Sequence, residues 1–436
     1  MPTLGLRGRD GSMVECLFDS KAGTTCLIQE SGRTSPPRER LEVDGREYVP
    51  FSPENNLLTH RVVLLPSAVG EHGDTAQLLS QIRAFLHRYV DLPENFEVVA
   101  AHYILLTWVY DSFNELPYLR VRGQYGSGKS RFLLTVGSLC YKPIFASGAS
   151  TISPIFRLLD QVRGTLVIDE ADFWASDERS EIVKILNNGN ARGFPVLRND
   201  ITPQKEFNPR AFDIFGPKIV ATRHPFQDEA LESRCLTGIL GGRPVRPDIP
   251  ISLPNSFNED AERLRNQLLA FRFEWAAGEG PIDLTDSRGL SHRRAQILAP
   301  LLAVATDSEA RESLHSFVLG GTPMNGVRDA EHRVLSTVHD LLSRGTALSL
   351  SAVAHEFTVQ WRERYGTDVS HRWIGATLRR MGLRPRKSNG VYIIDNSDLP
   401  LLQTLFAEHG LGDNGDSRDI SPASKDNPAL DGGRGF

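Results

Sequence analysis

Long apolar runs are missing from this chain, and that absence sets the first bound on what it does. In 436 residues no stretch of eighteen apolar residues occurs, and the longest candidate, Val98 to Tyr110, is interrupted by His102. A bilayer-spanning helix needs about twenty such residues, so none is expected. The opening Met-Pro-Thr-Leu-Gly-Leu-Arg-Gly-Arg-Asp has no apolar core of the secretory kind, and a soluble, cytoplasmic protein is the expectation. Cysteine is scarce as well: Cys16, Cys26, Cys140 and Cys235 are scattered without metal-ligand spacing. Cys16 and Cys26 can approach each other in an N-terminal hairpin, but a pair is two ligands short of a zinc site. Free thiols in a reducing compartment are expected. No charge of one sign dominates; the formal net charge of −5 hides an uneven distribution and by itself names no partner. No internal repeat is visible, and the length suffices for two or three domains.

What is present begins with Gly-Gln-Tyr-Gly-Ser-Gly-Lys-Ser, from Gly123 to Ser130. The apolar Tyr118-Leu119-Arg120-Val121 before it predicts a strand, and Arg131 to Val136 after it the start of a helix. A glycine-rich loop between strand and helix is the context that confirms a phosphate-binding loop. Gly123, Gly126 and Gly128 let backbone N–H groups, including that of Ser127, turn inward around a phosphate at a helix N-terminus. Lys129 neutralises the β and γ oxygens, and the Ser130 hydroxyl is offered to Mg²⁺. ATP and Mg²⁺ are therefore the expected ligands. Downstream, Thr165-Leu166-Val167-Ile168 predicts a strand buried on both faces that ends in Asp169-Glu170. Carboxylates at the C-terminal end of a parallel strand lie in the crevice where phosphates bind. Asp169 is assigned to Mg²⁺ through water and Glu170 to polarising the attacking water.

Around these motifs the chain is divided into residues 1–73, a β-rich or partly disordered appendage; 74–115, a helical lead-in; and 116–319, an ATPase core with a helical lid. Residues 327–410 form a second domain and 411–436 a disordered tail. Leu78, Leu79, Ile82, Leu86 and Val90 recur at helical spacing, and a second apolar helix covers Val98 to Tyr110. In the core, strands at Pro143 to Phe145, Leu166 to Ile168 and Gly216 to Thr222 alternate with helices at Ser153 to Leu159 and Ser180 to Leu186. Such alternation predicts a parallel sheet with helices on both faces.

The order of loop, Asp-Glu strand, Leu186 to Gly193 with Val196-Leu197-Arg198, Phe212 to Lys218 and the Glu232-Ser233-Arg234 element resembles the P-loop, AAA+-like ATPases of phage, plasmid and mobile-element primase-helicases. More distantly it is similar to minichromosome-maintenance helicases. The likeness covers about Asp74 to Ala305. It implies ATP-driven movement on DNA by a ring-like homo-oligomer, with a hexamer as the expected size. It also implies that Thr222, or Arg223 beside it, acts as sensor 1, and that Arg234 is an arginine finger reaching a neighbouring subunit's γ-phosphate. Arg293, or Arg294 next to it, would fold over the nucleotide from the lid as sensor 2. The Arg192 to Phe207 segment would be a pore hairpin meeting DNA phosphates through Arg192, Arg198 and Lys205. No primase catalytic domain is recognisable, so priming is not assigned.

Beyond a glycine-rich break at Gly320 to Gly326, apolar stripes predict three helices, and Arg384 to Ile394 predicts a hairpin turning at Ser388-Asn389-Gly390. Three helices followed by a basic hairpin look like a winged-helix domain. Between Trp361 and Gly390 there are eight basic residues against two acidic ones, a concentration that favours a phosphate-binding face. The helix Ser370 to Met381 would enter the major groove with Arg372 and Arg379 on one face, Arg380 beside them and Arg386 and Lys387 on the hairpin. Two functions remain open: a DNA-translocating ATPase, a replicative helicase of a mobile element, or a DNA-binding switch ATPase that assembles with ATP without unwinding.

Overall fold

The computed structural model describes residues 1–31, 34–148, 150–169, 177–201, 207–226, 228–241, 244–278, 290–319, 326–346, 348–365, 369–388, 391–408 and 411. The chain divides into two compact units, residues 1–322 and 323–436. Among the described residues no helix is long and apolar enough to cross a membrane.

The first unit is built on five parallel strands: β1 (Tyr118–Arg122), β2 (Ile144–Ala146), β3 (Leu166–Ile168), β4 (Lys218–Thr222) and β5 (Cys235–Ile239). Their order in the sheet is β5-β1-β4-β3-β2. Side chains alternate between faces along each strand, and here the alternation divides two cores. Leu119, Val121, Val167, Ile219, Ala221 and Leu236 point to one core, while Tyr118, Leu166, Ile168, Val220 and Cys235 point to the other. Apolar residues on both faces of every strand are what a sheet covered on both sides requires.

The first core is closed by α1 (Thr75–Tyr89), α2 (Glu94–Trp108), α3 (Lys129–Gly137) and the later α6 (Ser256–Ala277), α7 (His292–Ala303) and α8 (Ser308–Leu319). Helix α1 starts where the Asp74 carboxylate accepts from Gln77 N–H at 2.7 Å, a cap that satisfies one orphan donor of the first turn. Helix α2 is apolar nearly all round and buries Phe96 and every residue from Val99 to Trp108, as expected of a helix enclosed by neighbours. The second core is closed by α4 (Ile152–Val162) and α5 (Asp177–Asn188), and by strands of the N-terminal segment.

That N-terminal segment carries a three-stranded antiparallel sheet (Gly5–Arg7, Met13–Asp19, Thr24–Glu30) and a second three-stranded one (Pro2–Thr3, Arg46–Pro50, Leu41–Val43). It does not hang from the core as an appendage would, because its apolar residues share both cores. Val63 bridges Ile144, and Phe145 N–H donates to Val62 carbonyl at 3.0 Å, covering the β2 edge of the sheet. The buried Glu15 carboxylate accepts from Lys142 Nζ at 2.7 Å, Arg272 Nε at 2.9 Å and Tyr141 Oη at 2.6 Å. All four cysteines are free, with Cys16 and Cys26 on paired strands, opposite Leu27 and Leu17 respectively.

The second unit contains α9 (Gly326–Ser343), α10 (Leu350–Tyr365), α11 (His371–Arg380) and α12 (Leu399–Glu408), with β6 (Arg386–Ser388) antiparallel to β7 (Val391–Ile393). Val334, Val338, Val353, Phe357, Ile374 and Leu378 form its core. Ser349 bridges Ile393, which ties the hairpin to the start of α10. Asn389 and Gly390, the expected turn, lie outside the described residues.

Candidate nucleotide site

The loop after β1 has the conformation that its glycines permit. Gly126 and Gly128 have φ of 76° and 92°, in the left-handed region that favours glycine. At Gly123 the constraint is space: an added Cβ would come within 2.4 Å of Ser127 Oγ and 2.6 Å of Leu240 carbonyl. Gly128 is the residue before the first turn of α3, so the backbone N–H groups at this helix start belong to the loop. Lys129 Nζ donates to the Gly123 and Gln124 carbonyls at 2.7 and 2.9 Å, which folds the ammonium into the loop.

The acidic strand delivers its carboxylate to the same place. Ser130 Oγ donates to Asp169 Oδ2 at 2.6 Å, so the two residues expected to hold Mg²⁺ are brought together across 39 positions of chain. Hard oxygen donors of this kind suit Mg²⁺. Glu170, the expected activator of water, lies outside the described residues. Because β4 stands between β1 and β3, Thr222 emerges between the loop and Asp169: its carbonyl accepts from Gly123 N–H at 3.2 Å. Its side chain is fully buried, and among the described residues Oγ1 has no hydrogen-bond partner. Ser127 Oγ is likewise buried without one. Buried hydroxyls are nearly always satisfied, so two orphaned ones at a phosphate loop fit a site shaped for a polar ligand. Arg223, the alternative to Thr222, is exposed just beyond it.

Arg234 is held at the other end of the sheet. Cys235 pairs with Tyr118 and Ile239 with Arg122, so Arg234 precedes β5 roughly a strand length, on the order of 15 Å, from the loop. Glu232 does not neutralise it, being engaged by a bidentate pair with the buried Arg120, whose Nε donates to Thr237 Oγ1 at 2.9 Å. Arg234 Nη1 instead donates to Asn187 Oδ1 at 2.6 Å, and Asn187 Nδ2 donates to Asp228 Oδ2 at 2.6 Å. Arg234 Nε is buried and has no partner among the described residues. Partial burial, followed by the like charge of Arg293, pushes the Arg234 pKa below the usual guanidinium range. Arg293, the expected lid arginine, lies in α7 near Arg234 and Tyr118 and donates to Gln296 Oε1 at 3.4 Å. Arg294 is exposed.

Between β3 and β4 an antiparallel hairpin forms from Val196–Ile201 and Phe207–Phe212. Of the three cations expected on it, Lys205 lies outside the described residues. Arg192 is exposed, donates from Nε to Phe113 carbonyl at 3.0 Å and from Nη2 to Asp111 carbonyl at 2.8 Å, and lies 4.4 Å from the Phe215 ring centre. Arg198 sits 5.2 Å from the Phe156 ring, whereas Leu197 and Phe194 are each 67% exposed. In the second unit Arg372 and Arg379 are exposed on α11, capped by the Ser370 hydroxyl accepting from Trp373 N–H at 3.3 Å. Arg380 ends that helix, with its side chain outside what is described. Lys387 is exposed on β6, and Arg386 is exposed 3.6 Å from Asp395.

The residues that sequence reasoning missed are Asn187, which orients Arg234, and Arg120, which occupies Glu232. Asn187 stands within a stretch whose likeness to a helicase family was legible; nothing marked Arg120, a cation in the middle of an apolar strand.

The chain matches no protein-family model and no curated protein. Among solved structures it is similar to the C-terminal region of NrS-1, at 10% identity over 88% of this chain and 96% of that one, with a TM-score of 0.37. An SCCmec type IV Cch helicase is 12% identical over 86% and 79%, with a TM-score of 0.33, and the JCV helicase 10% identical over 57% and 67%, with a TM-score of 0.26. Likeness at these values decides nothing about function, which is read from the geometry of the site itself. The fold is mixed α/β, with a five-stranded parallel sheet of the P-loop NTPase kind.

Proposed function

We propose that the chain is an ATP-hydrolysing motor that moves on DNA, a helicase of mobile-element replication, working as a ring-like homo-oligomer. The observation that carries the ATPase reading is the contact of Ser130 with Asp169 beside a left-handed glycine loop. Bound Mg²⁺ would neutralise the β and γ oxygens. The backbone of Gly126 to Ser130 cradles the phosphates, Lys129 exchanges its loop carbonyls for phosphate oxygens, and Thr222 Oγ1 orients the attacking water that Glu170 polarises.

Arg234 stands too far from its own loop to serve it, and its half-buried guanidinium is held by Asn187 Oδ1. This supports a finger acting across a subunit boundary, with Asn187 as its positioning residue. Arg293, its neighbour, belongs to the same boundary. The second unit, with its α11 and hairpin, is read as a winged helix whose Arg372 and Arg379 meet duplex phosphates.

The test is strand displacement on a forked duplex with ATP, beside ATP hydrolysis, for the natural chain and Lys129→Ala. Displacement that vanishes with Lys129→Ala is the expected result. Hydrolysis without displacement would instead identify a DNA-bound switch ATPase, and no hydrolysis with or without DNA would overturn the ATPase reading.

A further inference from the structure

Asn187, which aims Arg234, is the last residue but one of α5, so whatever fixes the end of α5 also fixes the guanidinium. The last carbonyls of a helix have no donor within it and must find one elsewhere. Here the sheet supplies two. Tyr118, at the start of β1 and fully buried, donates from Oη to the Leu186 carbonyl at 2.7 Å. Lys218, at the start of β4 and equally buried, donates from Nζ to the Gly189 carbonyl at 2.9 Å. The two acceptors bracket Asn187 along the chain.

The same two side chains are tied to each other and to Arg234. Lys218 Nζ lies 5.1 Å from the centre of the Tyr118 ring, and it also donates to the Ile214 and Gly216 carbonyls at 3.0 and 2.9 Å. The backbone N–H of Tyr118 donates to the Arg234 carbonyl at 2.9 Å. Tyr118 therefore holds both the helix that orients the guanidinium and the backbone that carries it. Gly189 leaves room for the clamp: an added Cβ would come within 2.4 Å of Lys218 Nζ and 2.7 Å of the Ile214 carbonyl. Each clamp residue begins a strand whose far end, Arg122 or Thr222, adjoins the nucleotide loop. Neither side chain is thus placed to touch the nucleotide itself.

We infer that Tyr118 and Lys218 are positioning residues, a buried clamp that sets the end of α5 so that Asn187 presents the Arg234 guanidinium at the subunit boundary. Apolar packing would hold α5 against the sheet, but it has no direction. Hydrogen bonds do, and these two fix the turn on either side of Asn187. The clamp acts only through Arg234, and its role rests on the reading of that residue as the finger.

The test is a double-variant cycle in the full chain, read by ATP turnover and nucleotide affinity. Tyr118→Phe keeps the ring in the core and removes one hydrogen bond, so turnover should fall about fivefold while nucleotide affinity holds. In a chain already carrying Arg234→Ala it should cause no further loss, because its effect passes through the guanidinium. Lys218→Met keeps the side-chain length and should show the same dependence on Arg234, assayed below its own unfolding temperature. Natural turnover in Tyr118→Phe, while Arg234→Ala loses activity, overturns the clamp alone. Unchanged turnover in Arg234→Ala overturns the finger, and the clamp with it. A loss from Tyr118→Phe that is as large with Arg234→Ala as without it shows a merely structural role, and a fall in nucleotide affinity shows action on the loop; either result overturns the inference.

Discussion

Thr222 combines a cost to folding with a place beside the chemistry, and the two can be separated by one substitution. An unsatisfied buried hydroxyl costs about 1–3 kcal/mol, and Thr222→Val removes it at nearly constant volume. We expect thermal unfolding at an unchanged or higher temperature, with ATP turnover reduced about tenfold or more. Full turnover in this variant would remove Thr222 from the mechanism. Glu15 presents the opposite case, since three donors converge on one buried carboxylate. Glu15→Ala strands the buried Lys142, while Arg272 keeps Asp111 at 3.0 and 2.9 Å, and about 3–5 kcal/mol should be lost in urea unfolding. A loss below about 1 kcal/mol would show that the cluster relaxes. Glu15 and Arg120 could not be recognised in the sequence because the partners lie far along the chain. A single charged residue among apolar neighbours reads as a break in the pattern. Lys218 is similar: it is fully buried, and burial pushes its pKa down to about 7, yet Nζ donates to the carbonyls of Gly189, Ile214 and Gly216, using all three protons of an ammonium. By contrast Lys129, Ser130 and Asp169 were legible, because phosphate chemistry fixes both their types and their spacing from strand ends.

At the scale of elements, four of the five parallel strands were legible from runs of β-branched and apolar residues, and α1 from its helical stripe, whereas the strand Cys235–Ile239 was not read. The packing partners of these elements were not legible. The periodicity of α7 gives a helix with Arg293 at its start, but it carries no information on which end of the sheet that start will meet. The same limit applies to Arg192, whose bonds to the carbonyls of Asp111 and Phe113 no local pattern announces. The contact of α5 with Arg234 can be tested at this scale. Asn187→Ala removes the acceptor that aims the guanidinium without touching the loop, so nucleotide binding should persist. Hydrolysis should fall as it does in Arg234→Ala, by about tenfold or more for a finger worth several orders of magnitude when lost outright. Mixing Arg234→Ala with Glu170→Gln subunits should restore part of the activity, since some interfaces then pair an intact finger with an intact Glu170. A failure to recover despite verified co-assembly would count against action between subunits.

At the scale of the molecule, the nucleotide loop and the basic α11 belong to different compact units, which makes their functions separable by experiment. Arg372 and Arg379 are exposed seven residues apart on α11, two turns along one face. Each arginine that neutralises a phosphate releases counterions, and the slope of log affinity against log salt changes by about 0.9 per contact on duplex DNA. Replacing both by alanine should therefore weaken duplex binding and flatten that slope by about 1.8. Hydrolysis measured without DNA should be unaffected, because Ser130, Asp169 and Thr222 all belong to the first unit. A salt titration of duplex binding beside a DNA-free ATPase assay reads both quantities on one preparation. If affinity and slope are unchanged, the basic face of α11 does not meet DNA. The Val196–Phe212 hairpin, with Leu197 outward and Arg210 at its side, then becomes the surface to mutate. If DNA-free hydrolysis falls as well, the two units are coupled, and the second unit contributes to the ATPase cycle even when no DNA is bound.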